Sequence, residues 1–70
     1  MSEIIVNEVY ATRMKRNLTQ EELGEKVGVS RQTIIAIEKG NYTPSVLLAL
    51  KIAQLFGVSV ESLFRISTKK

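Results

Sequence analysis

Ser30-Arg31-Gln32-Thr33 is the segment of this chain with the most chemistry to offer. A guanidinium and a carboxamide stand side by side at the leading end of a short helix. Arginine makes two hydrogen bonds to guanine O6 and N7, and glutamine makes two to adenine N6 and N7, the pairings by which a major groove is read. No other part of the chain carries such a cluster. Composition removes most alternatives. Among 70 residues there is no histidine, no cysteine and no aspartate. A Ser-His-Asp triad, a Cys-His pair, an aspartyl dyad and a histidine or thiolate metal site are therefore excluded. No enzyme, cofactor or metal is expected. The stretch Glu21, Glu22, Glu25 fits a solvated helix face turned away from a nucleic acid better than a catalytic carboxylate set.

The elements that must carry the cluster are helices joined by short turns. Thr19, with Glu22 three residues on, spells a capping box, and Leu18 and Leu23 bracket it as a hydrophobic staple. Leu23 and Val27 share one face. Gly28 supplies the left-handed stop. Ser30 caps the next helix, with Val29 and Ile34 as staple. Ile34, Ile37 and Glu38 point to one side, and Gly40 ends the run. Two helices joined through Gly28-Val29-Ser30 must cross steeply, as in a helix-turn-helix over about 19–39. Gly57-Val58-Ser59 repeats the same device, with Val58 stapled to Leu63. Between them Pro44 and Ser45 open a helix whose stripe is Leu48, Ala49, Ile52, Ala53 and Phe56. Leu47, Leu50 and Leu55 lie off that stripe. Asn7 is the expected N-cap of the first helix and Asn17 its left-handed exit, with Val9, Tyr10 and Met14 as apolar contacts. The count is five helices, about 8–16, 20–27, 31–39, 46–56 and 60–64.

The ends differ. Residues 3–6 are rich in β-branched side chains, and 64–68 alternates, with Phe64 and Ile66 on one side and Arg65 and Ser67 on the other. Period two predicts strands. The two either pair as an antiparallel ribbon or fray, and the ribbon is the favoured reading. The expected class is thus all-α, one domain over 1–70, with a short terminal β-ribbon. A chain this short buries roughly 60% of its unfolded surface. Without disulfide or metal it depends on helix packing and oligomerisation. Hydrophobic residues at 44% and charged residues at 24% fit a globular domain,. The apolar runs are too short for a membrane span or a signal-peptide core, so a cytoplasmic protein is expected. The net charge of +3 mildly favours an acidic partner,.

Leu18-Thr19-Gln20-Glu21-Glu22-Leu23-Gly24, Val27 to Ile34 and Ile37-Glu38-Lys39-Gly40 resemble the helix-turn-helix signature of the Cro/cI (lambda-repressor-like, XRE) family. Pro44-Ser45 and Phe56-Gly57-Val58-Ser59 continue the likeness, which covers about residues 7–64. The resemblance implies a five-helix DNA-binding domain. It implies that Arg31 and Gln32 read bases, and that Ala36, with Ile35 beside it, meets at most a thymine methyl. It implies that Gln20 grips phosphate and braces the first recognition side chain. Ser30 either caps only or also contacts phosphate. The loop Lys39, Asn41, Tyr42 and Thr43 is placed along a phosphate backbone, with the amides of Gly40 and Asn41 expected to be free for it. Tyr42 either donates its hydroxyl there or packs on the core. Lys15 and Arg16 add charge or are simply solvated. Arg13 and Glu38 match an internal ion pair that orients the recognition helix.

The expectation is a sequence-specific transcriptional regulator, a repressor, binding a near-palindromic double-stranded operator as a homodimer. Ile4, Ile5, Val6, Leu47, Leu50, Leu55, Phe64 and Ile66 are candidates for the subunit contact. No membrane and no small-molecule ligand is expected as partner. The alternative is an antitoxin or other protein-interaction module on the same fold.

Overall fold

The computed structural model describes residues 2–69. Their order is β1 (Ser2–Asn7), α1 (Val9–Lys15), α2 (Gln20–Val27), α3 (Arg31–Glu38), α4 (Val46–Phe56), α5 (Val60–Leu63) and β2 (Phe64–Lys69). It is a predominantly helical fold with one two-stranded sheet.

Each helix start has a local cause. Thr19 Oγ1 accepts from Glu22 N at 3.0 Å, and the Glu22 carboxylate accepts from Thr19 N at 2.8 Å. Two of the orphan donors of α2 are thereby satisfied reciprocally. Ser30, Ser45 and Ser59 cap α3, α4 and α5 by accepting from Thr33, Leu48 and Ser62. Gly28 and Gly57 end α2 and α4 at φ of 81° and 70°, where a side chain would be strained. Asn17 takes the same exit after α1 at φ 57°.

The first helix starts one residue later than the sequence suggests. Glu8, not Asn7, is the N-cap, and its carbonyl accepts from Thr12 N at 2.9 Å. Asn7 is bound up in other work. Its Oδ1 accepts from Val9 N, and its Nδ2 donates to the Ile37 carbonyl at 2.9 Å. Tyr10 and Met14 are a further departure. Expected as packing residues, they are 56% and 50% exposed, because α1 turns Val9 and Arg13 inward.

The core gathers Val9, Leu23, Ile34, Ile37, Ile52, Phe56 and Leu63, all essentially without solvent exposure. At roughly 2 kcal/mol for each fully buried large side chain, this cluster supplies most of the drive to fold. The turn between α2 and α3 is held close. Val29 N donates to the Gly24 carbonyl at 2.9 Å. A Cβ on Gly24 would lie 2.7 Å from the Val29 oxygen, so glycine permits the approach.

The ends form the ribbon. β1 and β2 pair antiparallel, with Ile5 opposite Ile66 and Asn7 opposite Phe64. Glu8 N donates to the Leu63 carbonyl and ties the ribbon to the helices. Phe64 adopts extended backbone, which stops α5 at Leu63. Its side chain is half-buried, packed against the helical core.

Candidate nucleic-acid interface

The candidate surface is built on α3. Its N-terminal turn projects. Ser30, Arg31 and Gln32 are exposed, while Thr33, Ile35 and Ala36 are half-buried. Ile34 and Ile37, on the opposite side, are fully buried and fix the rotation of the helix. That rotation follows from the 3.6-residue period. The Ser30 hydroxyl also meets the Thr33 hydroxyl at 3.2 Å. Ser30 is thus a cap, and its exposed position leaves room for a second contact.

Behind the helix lies a polar network with both charges inside. Arg13 Nε donates to Glu38 Oε2 at 2.7 Å and Nη2 to Oε1 at 3.2 Å. The two side chains are only 7% and 5% exposed. The remaining Arg13 nitrogen, Nη1, donates to the Leu18 carbonyl at 2.8 Å. Hydrogen bonding to Glu38 pushes the Arg13 pKa still further up, against the opposing effect of burial. The Tyr10 ring lies beneath the guanidinium, 5.3 Å from centroid to Cζ, a cation–π contact. Helix α1 is thereby joined to the last turn of α3.

Gln20 joins the same network. Its Nε2 donates to Glu38 Oε1 at 3.1 Å. The carboxamide is thus oriented by Glu38, and Arg31 is not its partner. Gln20, Thr19, Met14, Tyr10 and Arg31 line one concavity beside α3, together with Glu21. Glu21, the next residue in the first turn of α2, is exposed.

The loop after α3 differs from expectation in its backbone. The amides of Gly40 and Asn41 are occupied: Gly40 N donates to the Ile37 carbonyl at 3.0 Å and Asn41 N to Ala36 at 2.9 Å. Gly40 at φ 79° makes this closure, a Schellman motif that satisfies the last helix carbonyls. What the loop offers is its side chains. Lys39, Asn41, Tyr42 and Thr43 are all exposed. Tyr42, at 48% exposure, lies outside the core.

Sequence reasoning missed Asn7 as a brace on α3. An Asn next to a helix start reads as a cap, and nothing local signals that its amide reaches Ile37, thirty residues away. It also missed the place of Tyr10, whose type suggests burial.

A family model described as helix-turn-helix matches residues 9–63. The chain is 60% identical over 58 residues to an uncharacterised HTH-type transcriptional regulator of Methanocaldococcus jannaschii, covering 83% of this chain and 88% of that one. It is 37% identical over 51 residues to the cryptic phage CTXphi transcriptional repressor RstR of Vibrio cholerae, covering 73% of this chain and 46% of that one. Among solved structures, the restriction-modification controller protein of Aeromonas hydrophila superposes with a TM-score of 0.73 at 24% identity, covering 79% of this chain and 83% of that one. The first two are named as a transcriptional regulator and a transcriptional repressor, and the third shares the fold. With the matched segment spanning α1 to α5 and the exposed first turn of α3 inside it, the chain belongs to the helix-turn-helix family of XRE/Cro–cI-like DNA-binding transcriptional regulators.

Proposed function

We propose that this regulator is a cytoplasmic repressor that binds a near-palindromic operator as a homodimer, with α3 in the major groove. Arg31 and Gln32 read base edges, and Ile35 and Ala36 offer apolar contact to thymine methyls. The observation that carries the reading is the contrast within α3. Its first turn presents a guanidinium and a carboxamide to solvent, while Ile34 and Ile37 are buried and Glu38 is paired. A helix so held can enter a groove without losing its own packing. Gln20, Ser30, Lys39, Asn41, Tyr42 and Thr43 flank it as phosphate contacts, which fix register without reading sequence. Arg13 and Glu38 orient the helix from behind. Neither cofactor nor small-molecule ligand enters the scheme.

Repression needs only occupancy of an operator, and the RstR relative is named as a repressor. Dimerisation supplies two recognition helices roughly 34–36 Å apart, one turn of duplex. The apolar side chains available for it are Ile4, Ile5 and Ile66 on the ribbon and Leu47, Leu50 and Leu55 on α4, all exposed. Val6 and Phe64 are half-buried and contribute less.

The test is selection of bound sites from a random duplex pool at about 0.15 M salt, a concentration at which phosphate attraction alone is weak. The expected result is a near-palindrome with half-sites about one turn apart. A single half-site would remove the dimer and keep the readout. Recovery of no motif would overturn sequence-specific binding and bring forward an antitoxin-like role, in which the exposed apolar side chains clasp a protein.

A further inference from the structure

Helix α4 carries one charged residue, Lys51, in an otherwise apolar or neutral segment, VLLALKIAQLF. Among the described residues it forms no ion pair with a carboxylate; the ion pairs are Arg13 with Glu38 and Arg65 with Glu8. Lys51 instead lines a concavity together with Thr33, Tyr42, Ser45, Leu47 and Val29. Val27, Gly28 and Leu48 line it too, and Thr33 brings the first turn of α3 to its edge, so this concavity opens beside the start of the recognition helix, between the end of α2 and α4. No acidic residue lines it.

Two concavities therefore flank α3. The first lies on the side of α1 and α2, where Gln20 and Arg31 stand with Glu21. The second lies on the side of α4, with Lys51, a phenol and two aliphatic hydroxyls. A helix inserted in a major groove has a sugar–phosphate wall on each side, since the groove is about 12 Å wide and bounded by both strands. The first wall would meet Gln20. The second would meet hydroxyl donors from Thr33, Tyr42 and Ser45 and a single mobile ammonium.

The geometry points to Lys51 as a positioning residue for DNA binding, whose ammonium pairs with a backbone phosphate on the α4 side of the recognition helix. This rests on the reading of α3 as the groove-binding element. An ammonium on a four-carbon stem suits the role, as a strongly hydrated point charge with three donors that needs no fixed geometry. It adds affinity and register on the duplex without reading sequence. It also gives α4 a part in binding that the spacing of its residues does not reveal.

The test uses the full chain, a fluorescein-labelled duplex from the selected pool, and the same duplex with its bases shuffled. Binding is followed by anisotropy across a series of salt concentrations. Lys51→Gln is expected to weaken binding to both duplexes by the same several-fold factor. The slope of log affinity against log salt should shrink by about 0.9, the value of one lost phosphate contact. Lys51→Arg should restore most of the slope. A Lys51→Gln slope equal to that of the wild type, at any affinity, would overturn the assignment. Weaker binding with an unchanged slope would mark a packing role for the aliphatic stem, and urea melts of the variant would record it. If the wild type binds neither duplex, the reading of α3 fails and the Lys51 assignment falls with it. If the wild type binds and Lys51→Gln matches it, only the Lys51 assignment fails.

Discussion

The two ends of α3 are held in opposite ways. At its C-terminal end three separate elements converge on one turn. Arg13 from α1 grips the Glu38 carboxylate with two nitrogens. Gln20 from α2 donates to the same carboxylate. Asn7, at the end of β1, donates to the Ile37 carbonyl. At the N-terminal end Ser30 caps the helix and Arg31 and Gln32 stand in solvent. The locked end sets where the helix points. The open end leaves two long side chains free to adjust to a partner. The backbone is ordered before any partner arrives, so binding costs only side-chain freedom, roughly 0.5–1.5 kcal/mol for each immobilised long side chain.

Breaking the locked end should have the largest effect. Arg13→Ala leaves Glu38 buried with only Gln20 to answer it. The expected loss of stability is about 3–5 kcal/mol, the usual result of removing one partner from a buried pair. For a 70-residue domain this is a large share of the total. Urea melts of the variant beside the wild type measure it. Equal midpoints and slopes would show that the pair is a bystander and that Ile34 and Ile37 alone orient the helix.

Breaking the open end should leave the fold alone. Arg31→Ala and Gln32→Ala are each expected to change stability by less than about 0.5 kcal/mol. Each should reduce discrimination at one or two base positions by about 1–3 kcal/mol. Competition binding with single-base variants of the selected operator measures this. If Arg31→Ala weakened every duplex equally, Arg31 would belong with the phosphate contacts, and readout would rest on Gln32.

Asn7 tests whether the ribbon shares in holding the locked end. Asn7→Ala removes the bond to the Ile37 carbonyl and the one from Val9 N. The expected cost is about 1 kcal/mol, that of an ordinary hydrogen bond with part of its surroundings solvated. Hydrogen exchange should quicken at the last turn of α3 ahead of α2. Uniform acceleration over all helices would mean that Asn7 serves the whole fold and not α3.

The open end was legible in sequence, and so, through the family resemblance, was the Arg13–Glu38 pair of the locked end; the contacts of Gln20 and Asn7 there were not, for physical reasons. Caps and stops are written within four residues, so Thr19, Ser30, Ser45, Gly28 and Gly57 declare themselves. The helical period shows that Ile34 and Ile37 point inward, and with them that Arg31 and Gln32 point out. The ribbon was visible because its two strands alternate. The Gly40 closure is also local, but a glycine marks only the stop of a helix and does not show that the Asn41 amide is tied back to Ala36. Asn7 and Ile37 meet only after tertiary folding, and no spacing rule reports such a contact. Tyr10 and Met14 are packing residues by type, but the face that Val9 and Arg13 define turns them outward. The concavity that Lys51 lines is likewise a product of packing between the end of α2, its turn into α3, the loop after α3 and α4.

The smallest effect concerns the start of α2, where Gln20 is launched toward Glu38. The Glu22 carboxylate accepts from Thr19 N, and this backbone hydrogen bond, aided by that from the Thr19 side chain, holds its pKa below the ordinary carboxylate value. Because the folded pKa is depressed, the stabilisation is complete above the unfolded carboxylate range. It is lost as pH falls through the folded value. Glu22→Gln retains an oxygen that can accept from Thr19 N but cannot titrate. The wild type should therefore exceed the variant slightly in urea melts at neutral pH, and the gap should close in acid. A gap that persisted unchanged into acid would assign it to cap geometry rather than to charge. The orientation of Gln20 would then rest on Thr19 and Glu38 alone.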